Sequence, residues 1–209
     1  MLIDHFFICV QPGAPEAAAL ADFGLVEGSA NRHPGQGTAN RRFFFANAFL
    51  ELLWLDDAAE AQSEATRPTK LFERLSGEGA SPFGICFRPA PGDDSPLPFA
   101  SWRYQPAYFP PGIACDIALA PLSEPMWFHL TPGGRPDALP PERAQPLAHR
   151  VPLREVTAVT VIQPRSLPSL ALPVRFAQGD TDLLEIEFDG GMLGKVHDFR
   201  PTLPLVFKY

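Results

Sequence analysis

Long apolar runs are missing from this chain. None of its stretches reaches the ~18 apolar residues that a membrane-crossing helix requires, so no membrane span is expected. The N-terminus, MLIDHFFICVQPG, has no basic segment before a short apolar run and no cleavage pattern, so no secretory leader is expected either. Positive charge is scarce as well. Seventeen Lys and Arg against 24 Asp and Glu leave a formal charge of −7 and a pI of about 5.2. The basic residues stand in ones and twos. That excludes the positive face that nucleic acid or an anionic membrane selects. Cysteine is limited to Cys9, Cys86 and Cys115, far apart and without a CxxC pair. A disulfide framework is excluded, and the three read as small core residues in a reducing, cytoplasmic setting. No GxSxG stretch offers a nucleophile elbow.

Proline, by contrast, is abundant. Its 25 copies in 209 residues exceed twice the usual ~5%. They argue for turns and short strands and against long helices. Leu2 to Val10 is β-branched and aromatic and reads as a strand. PEAAALADFGL reads as a helix of two to three turns stopped by Gly24. A short strand is expected near Gly24–Glu27, then a loop over Gly28–Ala39. A hairpin of Arg41–Ala46 and Ala48–Leu55 follows, turning at Asn47. The local order is β-α-β-β-β. After an acidic connector, Pro68–Leu75 reads as a short helix ended by Gly77. SPFGICFRP, FASWRYQPAYF, IACDIALAPL and EPMWFHL repeat the strand order, with the proline loop APGDDSPLP where the first unit has its helix. Such repetition suggests internal duplication. LREVTAVTVIQP, LPVRFAQ, LLEIEFDGG and the tail add further strands, and His149 and His197 are expected in solvent-facing loops.

The stretch RHPGQGTANRRFFFANAFLELLWLDD raises the functional question. Glu51 stands alone among Phe49, Leu50, Leu52, Leu53 and Trp54. An unpaired buried carboxylate costs several kcal/mol, so Glu51 must be paired, metal-bound, protonated or open to a cavity. Arg42 and Arg103 are candidate partners. His5 is as isolated on its strand, where Ile3, His5, Phe7 and Cys9 share one face. The glycines in HPGQGTANRR permit close backbone approach. The loop reads either as a turn feeding the hairpin or as a substrate contact through His33, Gly37, Thr38, Asn40 and Arg42. It is neither a dinucleotide fingerprint nor a P-loop, since the required third glycine and Gly-Lys-Ser/Thr are missing. Trp102, Arg103, Tyr104 and Tyr108 concentrate aromatics beside one cation, which suits either a pocket for an organic anion or ordinary packing.

The first strand IDHFFICV, the alanine helix, the loop HPGQGTANRRF and the strand FLELLWLDD resemble a glyoxalase-like domain protein of the vicinal oxygen chelate superfamily. The resemblance is most specific over residues 1–57 and is supported over 68–130 by GICFRP, SWRY and EPMWFHL. It implies an α+β fold of paired βαβββ modules forming a half-open curved sheet, the second module degenerate with its helix replaced by a loop. One glyoxalase-like domain is expected: module one at 1–57, a connector and helix at 58–80, module two at 81–130, a loop at 131–150 and C-terminal strands at 151–209. The resemblance further implies a divalent ion (Zn, Mn, Fe or Ni) held by residues of the first and last strands of each module. Carried onto this chain, those positions are His5, Glu51 and His129. The fourth falls near Gly84 or Cys86, where no hard ligand stands. The implied activity is a metal-dependent lyase, isomerase or dioxygenase with Glu51 moving the proton. The alternatives are a non-catalytic protein that binds or sequesters a small molecule and a dimeric scaffold. The expected partner is a small-molecule ligand, with a homodimer left open.

Overall fold

The first strand owes its place to alternation. In β1 (Leu2–Cys9), Phe6 and Ile8 are fully buried on one face while His5 and Phe7 turn to the other. The alanine-rich α1 (Ala17–Phe23) sets Ala17 and Leu20 into the core and stops at Gly24, whose φ of 120° few other residues adopt. Then come β2 (Asn31–His33), β3 (Thr38–Phe44) and β4 (Phe49–Leu55), in spatial order β2-β3-β4-β1, with β1 and β4 parallel. The computed structural model that shows this describes residues 1–77, 79–93, 95–164 and 170–209.

Two boundaries differ from the sequence reading. The strand expected at Gly24–Glu27 lies instead at Asn31–His33, inside the expected loop, and β3 begins at Thr38 rather than Arg41. The cause is the turn between them. Gly35 and Gly37 adopt φ of 79° and 73°, which lets the chain reverse within four residues and pairs His33 with Thr38. The loop thus becomes a third hairpin strand.

Asp57 caps α2 (Ala58–Ala61) by accepting from the amides of Ala59 and Glu60, and α3 (Leu71–Ser76) ends at Gly77. The second module follows as β5 (Phe83–Arg88), β6 (Ser101–Tyr104), β7 (Ala114–Ala118) and β8 (Met126–Thr131), in order β5-β8-β7-β6. That repeats the first module's order. The described part of the 89–100 connection holds no helix, so a loop does replace it. Antiparallel pairing of β1 with β5 joins the modules into one eight-stranded sheet curled into a half-barrel.

A second, open sheet carries β9 (Val156–Gln163), β10 (Arg175–Gln178), β11 (Leu183–Phe188), β12 (Val196–Asp198) and β13 (Leu205–Lys208), in order β10-β9-β11-β13-β12. Its apolar face and α1 pack on the convex face of the half-barrel. Phe6, Ile8, Leu50, Leu52, Ile85 and Trp127 meet Val159, Val161, Leu184, Ile186 and Phe207 in one core cluster. Asn47 clamps the two sheets. Its amide donates to the Val156 carbonyl at 2.8 Å, and its oxygen accepts from the Val156 amide at 2.9 Å. Neither loop histidine is a bystander. His149 accepts from the Val26 amide at 3.0 Å and bonds the Phe44 carbonyl, and His197 lies on β12 against the Phe23 ring. No described helix is long and apolar enough to cross a membrane.

Candidate functional site

With the convex face taken up by core, the concave face is left to function. It encloses a cavity of about 330 Å³ lined by His5, Phe7, Phe49, Glu51 and Leu53 from β1 and β4. Asn31, His33, Gln36 and Arg42 come from β2, β3 and their turn. Met126, Phe128, Ile117, Cys115 and Tyr104 come from the second module, and Tyr108, Phe109 and Arg143 stand at the rim.

Glu51 is 8% exposed and faces this cavity. Its Oε1 accepts from the Asn40 amide at 2.8 Å, the one hydrogen bond it makes among the described residues. Arg42 stands opposite it across the strands, but its guanidinium donates to the Ser29 carbonyl and hydroxyl and lies over the Phe44 and Phe49 rings. Burial pulls the Arg42 pKa down, and the nearby carboxylate partly restores it. Arg103, the other partner considered, is exposed on β6 and lines no described cavity.

His5 stacks on Phe49 with 4.5 Å between ring centroids. Its Nδ1 lies 2.8 Å from Asp4 Oδ1, and Asp4 Oδ2 faces Arg88 Nη1 at 3.5 Å. All three are buried. His33 stacks on Tyr108 at 4.7 Å, and its Nδ1 meets the Thr38 hydroxyl at 2.8 Å. Burial holds the His33 imidazole below its ordinary pKa and pushes the Tyr108 phenol up.

The loop residues divide by role. His33 and Arg42 reach the cavity. Thr38 and Asn40 do not line it: they are buried supports, Thr38 for His33 and Asn40 for Glu51. Asn40 sits in β3, diagonal to Glu51, rather than in a loop. Gly37 lies against α2, where a Cβ would come within 2.1 Å of the Asp57 carbonyl, and its amide donates to Glu60. Trp102 borders a separate crevice with Pro68, Leu119 and Pro125. Asn31, Gln36, Phe109, Phe128 and Arg143 were not singled out from sequence. Phe128 lies in an apolar strand with no mark of its own, and the rest depend on how loops close over the sheet.

The ligand set that the resemblance implies does not converge. Met126, Phe128 and Leu130 face the cavity, so strand parity turns His129 to the opposite face. There it borders another crevice with Met1, Asp93 and Thr131. At the fourth position, Gly84 makes room for the Phe7 ring, which a Cβ would meet at 2.0 Å. A different group does come together. Asp4, His5 and Cys86 bring ligand-type atoms within 4.8 Å of one another, all buried. Such O, N and S donors suit zinc best. Arg88 already places a positive charge beside Asp4, which opposes a second cation, and burial pushes the Cys86 thiol well up.

Residues 3–96 match the family model of the glyoxalase-like domain, which covers the first module and the opening strand of the second. That stretch contains β1, the loop and β4, whose residues carry the resemblance to this family. A solved structure of a hypothetical protein from Staphylococcus aureus matches with a TM-score of 0.50 at 10% identity, over 98% of this chain and 97% of that one. The shared architecture thus extends into the C-terminal sheet. No curated protein matches.

Proposed function

We propose that the concave cavity binds a small organic molecule and that Glu51 is its principal hydrogen-bond acceptor. One observation carries this reading. A buried carboxylate faces a cavity with mostly apolar walls and keeps a single protein hydrogen bond among the described residues, from Asn40. A carboxylate has about four acceptor sites, so a ligand with N–H or O–H groups completes a coordination that the protein leaves open. The aromatic walls from Phe7, Phe49, Phe128 and Tyr108 favour a flat ligand. The same carboxylate is placed to take a proton from such a ligand.

The test is native mass spectrometry of the purified chain, followed by organic extraction, on wild type and Glu51→Gln. A stoichiometric small molecule in wild type, lost or strongly reduced in the variant, is the expected result. Equal ligand content in both would end the role of Glu51.

A second reading is a metal-dependent lyase, isomerase or dioxygenase, for which the Asp4, His5 and Cys86 group brings three ligand-type atoms together despite the Arg88 charge beside it. Those three residues would hold a divalent ion, which would supply Lewis-acid polarisation of a substrate oxygen. Elemental analysis of untagged protein prepared without chelator decides this reading: about one ion per chain, lost in Cys86→Ser, supports it, and equal metal content in both proteins refutes it.

A further inference from the structure

We infer that the uncharged rings of the cavity's two histidines take opposite tautomers, His5 offering a lone pair at Nε2 and His33 an N–H, so that the cavity selects a flat ligand carrying both a hydrogen-bond donor and an acceptor. The ligand class rests on the small-molecule reading above; the tautomers do not.

For His5 the argument is short. Asp4 is ion-paired to Arg88, and a carboxylate only accepts hydrogen bonds. The 2.8 Å contact at Nδ1 therefore places the proton on Nδ1. In its uncharged form the His5 ring then presents Nε2 as an acceptor, and that nitrogen has no protein partner among the described residues.

For His33 the direction is set by a chain of four groups. The Tyr108 hydroxyl donates to Gln36 Oε1 at 3.4 Å, which turns the Gln36 amide nitrogen toward Thr38. That nitrogen donates to the Thr38 oxygen at 2.8 Å. Thr38 is 1% exposed, and its own hydrogen has one acceptor in reach among the described residues, His33 Nδ1. The His33 proton then lies on Nε2, which also has no protein partner among them. Burial favours the uncharged ring.

Both rings line one cavity. The sheet floor, with Glu51 and His5, accepts; the β2 side, with His33 and Arg42, donates. A lactam-type heterocycle satisfies both sides, while a ligand with only one polarity leaves a buried group unpaired.

Long-range proton–nitrogen NMR on histidine-labelled protein at mildly alkaline pH reads both tautomers directly. Signals are assigned through backbone connectivity, so no variant has to fold. The expected result is Nδ1–H for His5 and Nε2–H for His33. Finding both rings in one tautomer overturns the inference, since it would mean that the Gln36 amide or the Asp4 contact runs the other way. Titration with 2-pyridone and with N-methyl-2-pyridone tests the ligand class. The first should shift both histidines, and the methylated form, lacking the donor, should bind roughly tenfold more weakly. Equal shifts from both overturn the selectivity. Opposed tautomers with no response to either probe overturn the ligand class alone, while the extraction experiment on Glu51→Gln still decides whether the cavity holds a small molecule.

Discussion

The two modules of the half-barrel share a strand order and divide the chemistry between them. The concave face of module one is polar at intervals: His33, Arg42, Glu51 and His5 all reach the cavity, and Asn40 and Thr38 stand behind them. The concave face of module two supplies Met126, Phe128, Ile117 and Leu130, and its first strand replaces a side chain with Gly84. The two modules share an architecture that depends on hydrophobic alternation and strand pairing. Their polar cavity side chains differ. Module two acts as an apolar wall for a polar floor.

The largest break in that comparison is expected from the wall's outer face. Trp127 is 1% exposed and packs between Phe87 and Phe176 of the second sheet. Trp127→Ala should cost about 3–5 kcal/mol, read as a lower denaturant midpoint. A loss below 1 kcal/mol would show that module two is not anchored through this residue. On the floor, Asn40 is fully buried and bridges the Asn31 amide and Glu51. Asn40→Ala strands both groups and should cost about 1–3 kcal/mol. A substrate-contact role for Asn40, one of the two sequence readings of the loop, would instead predict weakened ligand binding with stability spared. Unchanged thermal stability together with weakened ligand binding would restore that view.

A smaller effect is expected from pH. His149 ties the loop before β9 to module one through Val26 and Phe44, and burial lowers its pKa below 6.5. His33 and His129 are lowered for the same first reason. Folding then favours the neutral rings. Their contribution is complete above the unfolded value and is lost as pH falls through the lower folded values. The melting temperature should therefore decline from neutral pH toward about pH 5, and less steeply in His149→Gln. Parallel declines in the two proteins would remove His149 from the account. The smallest change should come from Arg103→Ala, an exposed residue outside the cavity, within about ±0.5 kcal/mol and without effect on ligand binding. A binding loss there would place the site on the outer side of module two.

The elements most legible in the sequence were strands with a marked residue pattern. β11 was readable because its polar and apolar residues alternate, β1, β4 and β5 because of their apolar, β-branched and aromatic runs, and the isolation of His5 and Glu51 within apolar strands marked the face left open. The repeated strand order likewise disclosed the paired modules and the missing second helix. The turn after His33 was harder. Gly35 and Gly37 permitted a reversal, yet only the pairing of His33 with Thr38 made a strand of Asn31–His33 and moved Asn40 from loop to support. β12 was missed because three residues between turns carry too little pattern.

What the chain determined by itself is therefore a half-barrel of two modules with a carboxylate and an imidazole on its inner face. What only the tertiary structure decided is which residues share that face across strands. Parity along β8 sent His129 to the other side, and Gly84 admitted the Phe7 ring. A bulge between Ile3 and His5 accompanies the turn of Asp4 toward the His5 ring, and β5 brought Cys86 opposite it. The physical reason is that register between distant strands is set by how two faces pack, and no single strand records the register of its neighbour.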